Sequence, residues 1–217
     1  MTEDSKDLLL AIAREAIIED LTGTISPTLA RVAVTPPGDI VGEEGAFVTL
    51  KKRGYATQGG SSLRGCIGNI IGKRPLYRLI QRLACESAFH DPRFSPVRLS
   101  ELESLIVEIS VLTVPFSIVS YQDIEVGKHG VILTLGYHRA VFLPQVAIEQ
   151  GWDKELMLAH LAMKAGLAPN GWRDERCSFE VFEALVFSED EPWLERLLVI
   201  FAGVCARLPQ SNAVYVE

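Results

Sequence analysis

The sequence predicts an α/β fold in which helices flank a mixed β-sheet. Segments with helical periodicity alternate along the chain with segments rich in β-branched residues. A hairpin-like pair of strands also occurs, which a purely parallel sheet does not contain. Hydrophobic residues make up 48% of the 217 residues. This content is enough for an extensive core, in one large domain or in two unequal lobes of one chain.

The N-terminal segment is predicted to be a helix that is capped by Ser5, runs to about Leu21 and ends at Gly23. Its apolar residues share one broad face; they are Leu9, Ile12, Ala13, Ala16 and Ile17. The Thr-, Pro- and Gly-rich stretch 22–45 follows. A connection of this length is unusual in a compact domain, so we expect it to wrap around or cover another surface.

Two extended segments are predicted next, over residues 46–52 and 63–70. Pro75 suits the first position of a helix. The apolar face of this helix consists of Leu76, Leu79, Ile80, Leu83, Ala84 and Ser87. The proline-containing stretch 91–96 ends it, and a capping box from Ser100 to Glu103 predicts a short helical turn.

The clearest strand covers residues 105–113, with Val107, Ile109 and Val111 on one face and Glu108 and Ser110 on the other. The C-terminal half then predicts four further elements. They are a hairpin over 131–144 that turns near Tyr137 and His138, a helix over 153–165 ended by Gly166, a strand over 178–187 and an amphipathic helix over 193–208. Helices and strands therefore interleave to the end of the chain.

Charge and cysteine usage exclude several classes of protein. The formal net charge is −7 and the pI is about 5.2, which argues against a nucleic-acid-binding protein, because binding to phosphates requires a basic surface. The acidic N-terminus lacks the features of a secretory signal, and the apolar run 197–206 is shorter than the roughly 20 residues of a membrane span. Four cysteines at positions 66, 85, 177 and 205 form no CxxC pair. We therefore expect a soluble, cytoplasmic protein with free thiols and no membrane partner.

The segment LRGCIG, residues 63–68, is the strongest candidate for a functional site. Gly65 and Gly68 flank Cys66, and glycines permit positive φ angles and a close approach of the backbone to a ligand. In an extended segment Arg64 and Cys66 project to the same side, about 7 Å apart. A guanidinium at that position lowers the thiol pKa from about 8.5, which suits a nucleophile or a redox thiol. Two alternatives stay open: a buried packing position for Cys66, and a carboxylate clamp for Arg64.

A nucleophilic thiol needs a base, and His90 and His129 are the candidates. Glu108 interrupts an apolar strand, so this carboxylate either takes part in acid–base chemistry or pairs with Arg64 or Arg93. We favour the pairing. The scattered cysteines and histidines show no zinc-site spacing, and neither a metal nor a cofactor is expected.

Six segments occur in the same order as in the AMMECR domain family, which the chain resembles over residues 6–188. They are LRGCIGN, AFHDPRFSPV, EISVLT, EVGKHGV, FLPQVAIEQGW and FEALVF. The family includes the AmmeMemoRadiSam system protein A. The resemblance implies a single two-lobed α/β domain with a shallow cleft near residues 64–68. Residues 189–217 then form a C-terminal helical extension that covers a lobe or makes a dimer contact.

The resemblance also implies a role in a protein- or metabolite-modification pathway, together with a Memo-like protein and a radical S-adenosylmethionine enzyme. The matching positions include three candidate catalytic residues, Cys66, His129 and Glu108. The candidate ligand-binding residues are Arg64, Gly65, Gly68, Asn69, Asp91, Arg93 and Gln145; Phe94 and Gly130 also match. The family commonly has Ser or Thr where Asn69 stands, although an amide can still donate and accept hydrogen bonds. The alternative is a non-catalytic binding or scaffold module for the same partners.

Overall fold

The strands form two antiparallel sheets. The structure, a computed structural model, describes residues 1–53 and 62–189. Its strands are β1 (Gly45–Lys52), β2 (Leu63–Asn69), β3 (Leu105–Leu112), β4 (Phe116–Ile118), β5 (Gly130–Leu135), β6 (His138–Phe142), β7 (Ser178–Phe182) and β8 (Ala184–Ser188). The first sheet has the order β2-β1-β3-β8, and the second has the order β4-β7-β5-β6. The α/β class with flanking helices is confirmed, but these two antiparallel sheets replace the expected mixed sheet.

The division into two sheets arises where the chain crosses from one sheet to the other. The predicted strand 178–187 is in fact two strands, β7 and β8, which separate at Glu183 and belong to different sheets. The chain also leaves β3 at Thr113, and these two crossing points are bonded together. The Glu183 N–H donates to Thr113 Oγ1 at 2.9 Å, and the Thr113 N–H donates to the Glu183 carbonyl at 2.9 Å. The alternation of residues 178–181 stops at Phe182, and residues 184–187 are all apolar, so the pattern changes at the crossing.

The first lobe packs helices α1 (Glu3–Thr22) and α3 (Leu76–Cys85) onto the first sheet. Helix α1 begins at Thr2 rather than at the predicted cap Ser5, because Thr2 Oγ1 accepts the Ser5 N–H at 3.2 Å. The predicted stop is confirmed, since Gly23 adopts a φ of 69°. The apolar faces predicted for both helices are buried in the core of this lobe.

The stretch 22–45, expected as a long loop, contains helix α2 (Pro27–Val34) and a short 3₁₀ turn, Gly38–Ile40. Ser26 caps α2 by accepting the Leu29 N–H at 3.1 Å, and Pro27 occupies the first turn. The expectation of a structureless loop is therefore wrong, although the stretch does cover another element, since α2 packs against α1. The Ser-Pro pair was the sequence signal for this helix.

Helix α3 continues into a π-helical turn, Glu86–His90, before the proline-containing stretch that ends it as predicted. The next turn is Leu99–Ser104. The capping box of this turn runs from Arg98 to Glu101, whose carboxylate accepts the Arg98 N–H at 3.0 Å. The capping box predicted from Ser100 to Glu103 is therefore wrong by two residues.

The second lobe packs α4 (Pro144–Gln150) and α5 (Lys154–Lys164) against the second sheet. The predicted hairpin is confirmed, with its turn at Gly136 and Tyr137. A small cluster of Leu112, Ile132 and Phe182 joins the two lobes. None of the helices in residues 1–53 and 62–189 has both the length and the apolar composition needed to cross a bilayer. The helix predicted over 193–208, and with it the extension 189–217 beyond Glu189, lies outside the described residues.

Candidate functional site

A cleft of about 790 Å³ lies between the outer face of the first sheet and elements of the second lobe. Strands β1, β2 and β3 supply one wall, together with the segment that follows the π-helical turn. The end of β6, helix α4 and the last residue of α5 supply the other wall. Small-molecule sites in proteins typically occupy about 300–1,000 Å³ and lie between lobes or domains. The cleft therefore has the size and position of a ligand site.

Cys66, Thr49 and Glu108 form a row across the three strands of this wall. Thr49 on β1 is the cross-strand neighbour of both Cys66 on β2 and Glu108 on β3. All three residues line the cleft, because directly opposed residues project to the same face of a sheet. The Thr49 hydroxyl donates to Cys66 Sγ at 3.3 Å. The row gives the cleft a half-buried thiol with a hydroxyl beside it.

The Cys66 thiol is not activated by its surroundings. Burial raises its pKa, and the Thr49 hydrogen bond and the positive charge of Arg93 offset this only in part. Asp91 and Glu108 raise the pKa further through their negative charges. The guanidinium that lowers this pKa is that of Arg93 and not that of Arg64, and burial outweighs it, so the expectation that Arg64 lowers the pKa of Cys66 is wrong.

Asp91 and Arg93 hold the backbone of Cys66 in place. Asp91 Oδ2 accepts the Cys66 N–H at 2.9 Å, while Arg93 Nη2 donates to the Cys66 carbonyl at 3.2 Å. The two side chains also pair with each other, with Arg93 Nη2 donating to Asp91 Oδ2 at 2.6 Å. This pairing holds the pKa of the Asp91 carboxyl at about 2. Both side chains line the cleft, and their contacts within the protein position the thiol.

Arg64 does not contact Cys66. The pairing of β1 with β2 shifts by one residue between Leu50 and Lys51, which leaves Arg64 without a cross-strand partner. The shift places Leu63 rather than Arg64 on the cleft face. Arg64 is buried and donates through Nε and Nη2 to the two carboxylate oxygens of Glu101, at 3.0 and 3.1 Å. Of the two alternatives left open for Arg64, the structure shows the carboxylate clamp.

Gly65 and Gly68 allow close packing within the protein. Neither has a positive φ angle. A Cβ on Gly65 would lie 2.1 Å from the Ser87 carbonyl oxygen, and one on Gly68 would lie 2.2 Å from the Phe47 ring. Both residues lie in the extended segment that was predicted, and the backbone that approaches Gly65 belongs to the π-helical turn. Nothing in this geometry points to a ligand at either glycine.

Glu108 pairs with Lys51, whose Nζ donates to Glu108 Oε2 at 2.7 Å. The preference for pairing over acid–base chemistry agrees with this contact, but the predicted partners, Arg64 and Arg93, are wrong. Gln145, at the start of α4, lines the opposite wall of the cleft. The structure thus brings Cys66, Asp91, Arg93, Glu108 and Gln145 to one cleft.

The two candidate bases and Asn69 lie away from the cleft. His129 is buried in the second lobe, where its Nδ1 accepts the Glu125 N–H at 3.1 Å and Gly130 packs on Phe182. His90 is exposed at the end of the π-helical turn. The Asn69 amide, with its oxygen and nitrogen assigned from the hydrogen bonds, accepts from Arg82 Nη2 at 2.9 Å. In the described residues no histidine lines the cleft, so neither candidate base can reach Cys66.

Sequence reasoning missed Thr49, Lys51 and Lys164, which also line the cleft. Alternation along β1 places Phe47, Thr49 and Lys51 on one face, so the first two of these missed residues carried a signal once β1 was known to neighbour β2. Lys164 carried no signal, because its position depends on how the lobes meet. Within residues 1–53 and 62–189, no cluster of three or more His, Cys, Asp or Glu side chains could hold a metal ion.

The raised pKa of Cys66 predicts slow alkylation at neutral pH. The rate of reaction with iodoacetamide, followed by peptide mass spectrometry from pH 6 to pH 10, is expected to rise continuously with pH, because the thiolate forms only above the ordinary thiol range. Free glutathione under the same conditions serves as the reference and should react faster at pH 7. A Cys66 rate that reaches its plateau near pH 7 would show an activated thiolate and contradict this assignment.

Comparison with known proteins identifies the family. A model of the AMMECR1 family matches residues 10–187. A protein of Methanopyrus kandleri is 38% identical over 200 residues, which cover 88% of this chain and 92% of that protein. One from Saccharolobus solfataricus is 36% identical over 215 residues, covering 92% of this chain and 88% of that protein. The crystal structure of the uncharacterised protein PH0010 from Pyrococcus horikoshii, 38% identical, superposes with a TM-score of 0.79 and covers 88% of this chain and 95% of its own.

The family model spans the segments from which the resemblance was drawn, including those that carry Cys66, Asp91 and Gln145. The similarity to PH0010 covers most of this chain and therefore most of its α/β fold. Sequence and structure agree on this assignment. The chain therefore belongs to the AMMECR1 family.

Proposed function

We propose that this protein is a ligand-binding component of a protein- or metabolite-modification pathway, and that the cleft between its lobes binds the ligand with Cys66 as a contacting thiol. The observation that supports the proposal most strongly is the cleft itself. It has a volume of about 790 Å³, and charged or polar side chains from both lobes converge on it among apolar ones. Sites of this composition bind small molecules or short peptide segments in many folds.

The environment of Cys66 favours binding over nucleophilic catalysis. A catalytic thiol needs a lowered pKa or a base within hydrogen-bond reach. Burial raises the pKa of Cys66, and the nearest hydroxyl, that of Thr49, donates to the sulfur. Glu108 is occupied by Lys51, with 2.7 Å between the bonded atoms. A neutral thiol can still contact the apolar part of a ligand or donate a weak hydrogen bond.

The pathway and its partners are supported by the family resemblance. On this basis the protein is proposed to act with a Memo-like protein and a radical S-adenosylmethionine enzyme. The second candidate function is a non-catalytic scaffold that binds the same partners. The absence of a base beside Cys66 among the described cleft residues favours a non-catalytic role. The two candidates differ in one respect, because ligand binding requires an open cleft and scaffolding does not.

A variant that fills the cleft tests the proposal. Cys66→Phe places a ring in the cleft, and binders found for the wild type by saturation-transfer NMR with a small-molecule library are expected to lose at least about tenfold in affinity. Ile25→Phe, on a side chain that is 76% exposed and does not line the cleft, is the matched control and should bind like the wild type.

Calorimetric titration of the same variants with a purified Memo-like protein separates the two candidate functions. Loss of library binding with intact partner binding supports a ligand site. Binders that are retained in a folded Cys66→Phe variant would rule out the cleft as their site. Partner binding without any small-molecule binder would leave the scaffold as the function.

A further inference from the structure

The charged side chains of the cleft are not all paired. Lys51 pairs with Glu108 at 2.7 Å and Arg93 pairs with Asp91 at 2.6 Å, so these four charges compensate one another. The other two charged residues of the lining are Lys164 and Glu149, and neither forms an ion pair within the described residues. Glu149 is exposed on α4. Lys164 is thus the cation of the described cleft whose charge no carboxylate compensates.

Lys164 is the last residue of α5, and its ammonium group contacts a backbone carbonyl and an aromatic ring. Its Nζ donates to the Val141 carbonyl at 2.9 Å and lies 4.9 Å from the centroid of the Phe142 ring. Although the residue as a whole is exposed, desolvation of its ammonium group lowers its pKa; the Cys66 thiol raises it and the charge of Arg93 lowers it, both by less. An ammonium has three N–H donors. An anion bound here would gain a charge-assisted hydrogen bond from a donor that is already partly desolvated.

Gln145 contributes a hydrogen-bond acceptor to the cleft. Its Oε1 is buried, and no hydrogen-bond donor reaches it among the residues that the structure describes. A buried polar atom without a partner is costly and uncommon in native proteins. Because Gln145 lines the cleft, a ligand that carries an N–H or O–H group would remove this cost.

The remaining walls are apolar, and the backbone beside them is already bonded. The apolar lining includes Phe47, Val141, Leu143 and Val146. On the β2 side the Cys66 N–H and carbonyl are taken by Asp91 and Arg93, and on the β6 side the Val141 carbonyl is taken by Lys164. An added peptide strand would need such groups to be free. Recognition in this cleft therefore depends on side chains.

From these contacts we infer that the ligand is a carboxylate with a hydrogen-bond donor and an apolar body, in which Lys164 binds the carboxylate and Gln145 accepts from the donor. The inference rests on the proposed function and specifies the ligand class of the same cleft. One uncompensated cation matches one negative charge. A doubly charged phosphate would bring a second negative charge into a cleft in which the carboxylate of Glu149 also has no ion-pair partner among the described residues.

The test uses N-acetyl-phenylalanine, which carries all three groups, and N-acetyl-phenylalaninamide, which differs by loss of the negative charge. In calorimetric or NMR titrations the acid is expected to bind the wild type about tenfold more tightly than the amide. Lys164→Met should reduce the affinity for the acid to that for the amide. Lys73→Met removes an exposed lysine outside the cleft lining and should leave the preference unchanged.

Two further variants test the assignment of roles. Gln145→Leu is expected to weaken both probes about fivefold, because both keep the N–H donor. Glu149→Gln removes a like charge and should strengthen binding of the acid by about twofold.

Equal binding of acid and amide to the wild type, or a preference for the acid that survives Lys164→Met, would overturn the inference. That result would not contradict the proposed function, because the amide would still compete with library binders for the cleft. If the acid shows no saturable binding at about 10 mM, the carboxylate assignment is wrong.

Discussion

Replacing Arg14 with Met is expected to lower the free energy of unfolding by about 3–5 kcal/mol, because the change leaves a buried carboxylate without its partner. Arg14 and Glu189 have side chains that are only 3% and 4% exposed and form an ion pair. Arg14 also donates to the carbonyls of Leu102 and Leu105, each at 2.9 Å, and Glu189 accepts the Val107 N–H at 2.9 Å. The pair thus links α1, β3 and the end of β8. Urea denaturation monitored by circular dichroism measures the loss.

Two comparisons make this result specific. Glu155→Gln breaks an ion pair with Arg173 whose side chains are 66% and 51% exposed, and it should cost less than about 1 kcal/mol. The double variant Arg14→Met with Glu189→Met should lose less than the sum of the two single variants, since no unpaired charge remains. A loss below about 1 kcal/mol in Arg14→Met alone would show that the pair does not fasten β8 to the first lobe.

Gly65→Ala is expected to destabilise the protein by about 3 kcal/mol and to distort the cleft. The new Cβ would lie 2.1 Å from the Ser87 carbonyl oxygen, so β2 and the π-helical turn must separate. That separation also weakens the bonds from the Cys66 N–H to Asp91 and from the Ile67 N–H to Ser87 Oγ, both 2.9 Å long. Thermal and urea unfolding measure the stability, and the rate of Cys66 alkylation reports the distortion.

The matched control is Gly38→Ala. Gly38 has no positive φ, and a Cβ there meets no atom within 4 Å. This substitution should change the stability by less than about 0.5 kcal/mol. If Gly65→Ala is equally mild, the close contact between β2 and the π-helical turn is not maintained in solution.

Local patterns were sufficient for most elements of this fold. The apolar faces of α1 and α3 and the alternation along β3 were predicted from periodicity, because each depends on a single segment meeting one core. The predictions failed where the structure depends on how two separate segments pack against each other. The alternation in residues 178–187 breaks at Val181 and Phe182, next to Glu183, which meets Thr113 where the chain changes sheets. The prediction treated the whole stretch as one strand and missed this break.

In the candidate site, too, features within one segment were predicted and features that depend on two segments were not. Leu63, Cys66 and Ile67 of the segment LRGCIG line the cleft, and Glu108 was correctly expected to be paired. The bulge that turns Arg64 toward Glu101 could not be predicted, because it depends on the register between β1 and β2. Lys164 and Gln145 come from the second lobe, so no spacing in the sequence relates them to Cys66. The partner of Glu108 was missed for a related reason, since Lys51 is diagonal to it on the neighbouring strand.

The most direct test of the cleft as a ligand site is a crystallographic screen of the full chain with small-molecule fragments that include carboxylates. The predicted result is fragment density between the lobes, in contact with Cys66 and within hydrogen-bond distance of Lys164 or Gln145. Fragments that bind at other surfaces while the cleft stays empty across the whole screen would contradict the account.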